Sequence, residues 1–172
     1  MKKYFLFALM TLALTSCEED VTDNTPAFEG LKGYEFWRAT KMAATVNDGD
    51  LVIVGANDSE NFTLYVDNYE LGKEYTFGNS NVNVATYSKV ENDTIYRYST
   101  SSTTGKGYVK LEPADRQKPG TISGTFVAEM LPNTGSPVIK DSKVVNMNKG
   151  VFFQIPLKEA TPPAPAPAKS AK

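Results

Sequence analysis

The chain has no histidine, and Cys17 is its only cysteine. Without imidazole there is no neutral side-chain base titrating near pH 7, which removes Ser-His-Asp hydrolysis and the usual zinc enzymes. A single thiol forms no intrachain disulfide and no thiolate metal set, so stability has to come from an apolar core. Positive charge is not in excess either. The 18 Lys and Arg stand against 20 Asp and Glu, for a formal charge of −2, and no basic patch of the kind a nucleic-acid binder needs is present. The expectation is a protein with no nucleic-acid partner, no cofactor and no enzyme activity.

Long apolar runs are missing except at the amino terminus. There Met1-Lys2-Lys3-Tyr4 leads into Phe5–Leu14, the charged and hydrophobic regions of an export signal. The run is about half of the roughly 20 residues a membrane-spanning helix needs. It ends in Leu14-Thr15-Ser16-Cys17, which resembles the bacterial lipobox. That resemblance implies removal of residues 1–16 and lipid on Cys17, with each buried CH₂ of the acyl chains contributing about 0.8 kcal/mol of membrane affinity. Residues 17–27 are acidic and polar, too poor in apolar area to order themselves, and read as a tether. Glu18, Glu19 and Asp20 directly behind the cysteine resemble the surface-export signal of Bacteroidota lipoproteins. The expected location is therefore the outer membrane with the domain on the cell surface, and the alternative faces the periplasm.

Residues 159–172 alternate alanine and proline and finish with lysines, a composition that favours an extended, solvated tail. Between tether and tail, residues 28–158 have the length of one ordinary domain. Their periodicity is two almost throughout. Phe62, Leu64 and Val66 oppose Thr63 and Tyr65; Val109 and Leu111 oppose Tyr108 and Lys110; Ile122, Gly124, Phe126, Ala128 and Met130 oppose Thr121, Ser123, Thr125 and Glu129; Val151, Phe153 and Ile155 form the last set. Turn residues fall between the runs: Asn47-Asp48-Gly49-Asp50, Asn57-Asp58-Ser59-Glu60, Asn92-Asp93, Asn133–Pro137 and Asn146–Gly150. The pattern predicts an all-β domain, an antiparallel β-sandwich of about eight to ten strands, with a closed lipocalin- or streptavidin-like barrel as the alternative. Thr40–Thr45 reads either as a short helical turn or as part of the first hairpin.

The succession Trp37-Arg38-Ala39, Leu51–Ala56, Phe62–Val66, Gly72–Tyr75, Ala85-Thr86-Tyr87, Gly105–Leu111, Ile122–Phe126 and Asn148–Phe152 resembles an uncharacterised Bacteroidota lipoprotein family. The resemblance covers most of the domain. It implies a small envelope-attached β domain and supplies no functional residues.

Candidate chemistry is sparse. A glycosidase needs only two facing carboxylates, and Asp48, Asp50, Asp58, Asp67, Glu70 and Glu74 are available, mostly in turns where such side chains bond the backbone. Asn47, Asp48 and Asp50 are weak calcium candidates, since they place three oxygen-bearing side chains in four residues; a hairpin turn accounts for the same letters. No phosphate-cradling glycine loop is present, and Gly124 inside a strand reads as a bulge or a close approach. Tyr65, Tyr69, Tyr87, Tyr96, Tyr98 and Tyr108 lie in or beside strands. Tyr96 and Tyr98 share one face and are the candidate ligand platform. Trp37 reads as core. Asp93-Thr94-Ile95 resembles the O-glycosylation pattern of secreted Bacteroidota proteins, which makes Thr94 a candidate modification site. The functional expectation is a noncatalytic binding or accessory module for a glycan, a peptide or an envelope partner. The alternatives are a structural subunit of the envelope, and a histidine-free carboxylate hydrolase or small-ligand carrier.

Overall fold

The computed structural model describes residues 25–101, 104–139 and 143–159. The expected signal peptide, Cys17 with its acidic followers, and the stretch from 160 onward lie outside the described residues. The described chain forms eleven strands and one short 3-10 turn (Ala114–Arg116). They make two layers. One contains β1 (Ala27–Lys32), β2 (Glu35–Arg38), β6 (Glu74–Phe77), β9 (Lys106–Leu111), β10 (Thr121–Pro132) and β11 (Val145–Glu159), in the order β2-β1-β11-β10-β9-β6. The other contains β3 (Lys41–Asn47), β4 (Asp50–Ala56), β5 (Glu60–Val66), β7 (Val84–Glu91) and β8 (Thr94–Ser99), ordered β3-β4-β5-β7-β8.

The two longest strands join the layers at their ends. Leu131 and Pro132 of β10 pair with Ser99 and Tyr98, and Leu157–Glu159 of β11 pair with Ala44–Val46. That last ladder is parallel and the others are antiparallel. The result is the expected all-β sandwich, with one strand more than the upper expectation and two strands common to both layers.

The turns form for local reasons. Asp48 and Gly49 (φ 51° and 94°) and Asn92 and Asp93 (φ 49° and 59°) sit at positive φ, as the two central residues of a type I′ hairpin turn must. Thr40–Thr45 lies in the β3–β4 hairpin, with β3 starting at Lys41. Strand alternation holds best in β4 and β5, where every second residue is buried.

Between the layers Phe28, Trp37, Phe62, Phe126 and Phe152 form a ring cluster. Phe62 stacks on Phe126 at 5.1 Å, and Phe28 meets both edge-on at 5.7 and 5.3 Å. Such pairs add about 0.5–1.5 kcal/mol each beyond area burial. Room for the rings comes from missing side chains. A Cβ on Gly55 would lie 2.3 Å from the Phe28 ring, one on Gly124 2.4 Å from Phe152, and one on Gly150 2.5 Å from Phe126. The close-approach reading of Gly124 therefore holds, whereas the register shift beside it comes from an extra residue on β11, where Phe153 and Gln154 stand opposite Ser123. Trp37 is buried, as expected.

Strand β11 departs from the sequence reading twice. Asn146–Gly150 is not a turn but part of the strand, with Asn148 and Lys149 bulged opposite Val127 and Lys149 at φ 48°. A second irregularity has Gln154 at φ 49°. Each extra residue reverses which face the following side chains take. Phe152 and Ile155 therefore point inward, whereas Val151 and Phe153, read as core partners of Ile155, stand exposed on the outside.

Candidate functional site

Among the described residues, the site residues expected from the sequence do not converge. Asn47, Asp48 and Asp50 build the β3–β4 turn, and the Asp50 carboxylate is committed to it. Its Oδ2 accepts the Tyr65 hydroxyl at 2.5 Å and its Oδ1 accepts the Asn68 N–H at 3.1 Å, and the Tyr65 bond leads the causes that hold its pKa below the ordinary value. Thr94 opens β8 just after the Asn92-Asp93 turn, half-exposed, its hydroxyl donating to the Asn92 carbonyl at 3.4 Å.

The Tyr96–Tyr98 platform is overturned by the structure. The two do share a face, but it is the inward one. Tyr98 is fully buried, edge-on to Tyr87 at 6.1 Å, with its hydroxyl oxygen accepting the Ile139 N–H at 2.8 Å. Tyr96 is half-buried against the core. A ring enclosed in this way has no free face on which a ligand could stack.

Sequence reasoning missed a polar cluster between the layers. Glu60, at the start of β5, is buried. Its Oε1 accepts the Lys32 ammonium and the Tyr87 hydroxyl (2.6 Å), and its Oε2 accepts the Asn57 carboxamide at 3.2 Å. Asn57 Oδ1 in turn takes the Glu60 N–H at 2.9 Å. The Lys32 ammonium also stands 5.6 Å from the Tyr87 ring centre. Burial on its own would raise the Glu60 pKa, but the hydrogen bonds from Lys32, Tyr87 and Asn57 together outweigh it and hold the carboxyl below its ordinary value. Burial, and then the bond to Glu60, pushes the Tyr87 phenol well up. A carboxylate with both oxygens occupied is held ionised. Chemically it acts as a clamp between β1 of one layer and β5 and β7 of the other. One signal was available in the sequence: Glu60 is in phase with Phe62, Leu64 and Val66, so the strand carries an acid on its buried face.

Beside this clamp is a cleft of about 270 Å³ bordered by Lys32, Gly33, Tyr87, Lys89, Ile139 and Asn146. Asn146 also borders a larger hollow of about 380 Å³ on the outer face of the first layer. Cross-strand pairing brings Thr76, Tyr108 and Val127 into one row there, with Asn148 at the bulge beyond, and brings Lys106, Glu129 and Asn146 into the next. The hollow dips at Gly107, where a Cβ would lie 2.1 Å from the Val127 carbonyl oxygen. The same outer face carries exposed apolar side chains. Phe36 (64% exposed) pairs across from Leu31, Val151 and Phe153 stand on β11, and the hairpin tip between β1 and β2 presents a fully exposed Tyr34.

Residues 24–156 match the family model described as a domain of unknown function, DUF6252. No curated protein and no solved structure matches the chain. The match spans nearly all of the two-layer β domain described above, and the chain belongs to the DUF6252 family.

Proposed function

We propose that the protein is a noncatalytic recognition module of the bacterial envelope, anchored by lipid on Cys17 and presented on the cell surface by the acidic tether behind it. The observation that carries the recognition part is the contrast between the two faces of the first layer. Its inner face is filled by the ring cluster, whereas its outer face leaves Tyr34, Phe36, Tyr108, Val151 and Phe153 in water, with Tyr108 in the wall of the 380 Å³ hollow. Exposed apolar side chains sharing a face with a hollow mark interaction surfaces. Two observations count against catalysis: the one buried carboxylate among the described residues is saturated by donors, and the Asp50 carboxylate is engaged by its own turn. The rings that occupy the interior count against a carrier of a small apolar ligand.

The test has two readouts. Wild-type protein on intact cells should be cleaved by added protease, and Cys17→Ala should be released in soluble form. The soluble Cys17→Ala chain should then bind isolated cell envelopes or their surface polymers, and Phe36→Asp should reduce that binding. Protection of the wild type until the outer membrane is opened would place the domain in the periplasm. Absence of any envelope binding would remove the recognition reading.

A structural role is the second reading, and the edges favour it. Strands β2 and β6 end the first layer with one side unpaired among the described residues, which is where another chain could add a strand. Sedimentation of the Cys17→Ala chain as a stable oligomer would support this reading, and a monomer at high concentration would remove it.

A further inference from the structure

We infer that the 380 Å³ hollow on the outer face of the first layer is a subsite for a neutral saccharide, an inference that rests on the recognition reading and names its ligand class. Two features of the hollow point the same way. Tyr108, more than a third exposed, stands in its wall next to Val127 and offers an aromatic face for the C–H side of a sugar ring. Asn79, Asn146 and Asn148 border it, and their carboxamides make no side-chain hydrogen bond among the described residues. A carboxamide offers an acceptor oxygen and two donor hydrogens on neighbouring atoms, the complement of vicinal hydroxyls, which both donate and accept.

Charge decides between ligand classes. The charged residues at the hollow are Lys106 and Glu129, which face each other at 3.7 Å between nitrogen and oxygen. The pair compensates itself, so the lining favours neither an anion nor a cation; Lys149, outside the lining, is the one further charge at the bulge among the described residues. Neutral ligands rich in hydroxyl groups fit what remains. The size agrees, since small-molecule sites occupy roughly 300–1,000 Å³.

The backbone prepares the site. The bulge that places two residues of β11 against Val127 turns both Asn148 and Lys149 outward, and Gly107 lets β9 sit close enough to β10 to form the depression. Both lie within strands, which keeps Tyr108, Val127, Asn146 and Asn148 at fixed spacing, while Asn79 follows β6 in a bend.

The experiment is a titration of the isotope-labelled soluble Cys17→Ala chain, followed by NMR, with neutral hexasaccharides of glucose, xylose, mannose and N-acetylglucosamine at millimolar concentration. An oligogalacturonate and a neutral hexapeptide are run alongside. The expected result is a set of shift changes centred on Tyr108, Val127, Asn146 and Asn148 with at least one neutral series. Tyr108→Ala and, independently, Asn148→Ala should each weaken that binding about tenfold, the size of one lost stacking or hydrogen-bond contribution. Val90→Ala, on the exposed side of β7 in the other layer, should leave it unchanged. If Tyr108→Ala loses the fold, the Asn148→Ala result decides. The inference is overturned if no neutral saccharide shifts these residues, if only the galacturonate or the peptide does, or if the shifts map to the β1–β2 hairpin. If envelope binding through Phe36 persists in that case, recognition stands and the saccharide assignment alone falls. If envelope binding is absent too, both fall.

Discussion

Two polar clusters of this domain are built from similar side chains and are balanced in opposite ways. At the clamp, Glu60 receives hydrogen bonds from Lys32, Tyr87 and Asn57. At the hollow, the carboxamides of Asn79, Asn146 and Asn148 make none among the described residues. Burial accounts for the difference. An ionised group inside the protein has to be compensated by the protein itself, because an unpaired one costs several kcal/mol. An exposed carboxamide is compensated by water, and a ligand can take water's place. Saturated polar groups report on the fold, and unsaturated ones on what the surface could bind.

The largest expected effect comes from breaking the clamp on one side. Lys32→Met leaves Glu60 charged, buried and short of its cationic partner, and should cost about 3–5 kcal/mol of stability in urea melts of the Cys17→Ala chain. Replacing Glu60 by Leu in the same chain should recover much of that loss, since an apolar pair needs no compensation. A double substitution as unstable as Lys32→Met alone would show that the residues do not act as a pair.

A smaller effect is expected at Tyr87, which donates to Glu60 at 2.6 Å. Tyr87→Phe removes one hydrogen bond to a charged acceptor and should cost about 1.5–3 kcal/mol. Acid provides the same test without substitution. Because the Glu60 carboxyl is held below its ordinary 4.5 in the folded state, its contribution is fully present above that value. It is lost as pH falls through the lower folded value, where protonation removes the acceptor. The acid limb of the stability profile should therefore be shallower in Glu60→Gln than in the wild type.

The smallest effect on stability is expected at the hollow. Asn148→Ala should change the melt by no more than about 0.5 kcal/mol, although it is expected to weaken saccharide binding. A large loss of stability in that variant would mean that the bulge depends on the asparagine, and the contrast between the two clusters would fail.

The fold class was legible because period-two alternation and turn residues are local signals. β4 and β5 follow the alternation throughout, and the Asp48-Gly49 and Asn92-Asp93 turns adopt the positive φ their residues favour. Strand β11 misled for the same reason. Asn146–Gly150 carries turn letters, yet long-range pairing with β1 and β10 keeps it in a strand and absorbs the misfit as a bulge. Tyr96 and Tyr98 were correctly placed on one face, but alternation does not say which face of a strand meets the other layer.

The candidate site was hardly legible. Lys32 and Tyr87 lie 28 and 27 residues from Glu60 along the chain, and only the stacking of the layers brings them to one carboxylate. The hollow depends on register, through the pairing of β6, β9, β10 and β11 and the bulge opposite Val127.

What the sequence determined by itself was whatever follows from composition and from neighbours along the chain. The lack of histidine removed imidazole chemistry, alternation dictated strands, and Asp-Gly and Asn-Asp dictated tight turns. Only the tertiary structure decided which apolar residues became core and which stayed in water, and which polar groups were satisfied. A strand has two equivalent faces until another layer covers one of them. In β11, where bulges reverse the faces, that covering put Phe152 among the rings and left Val151 and Phe153 outside.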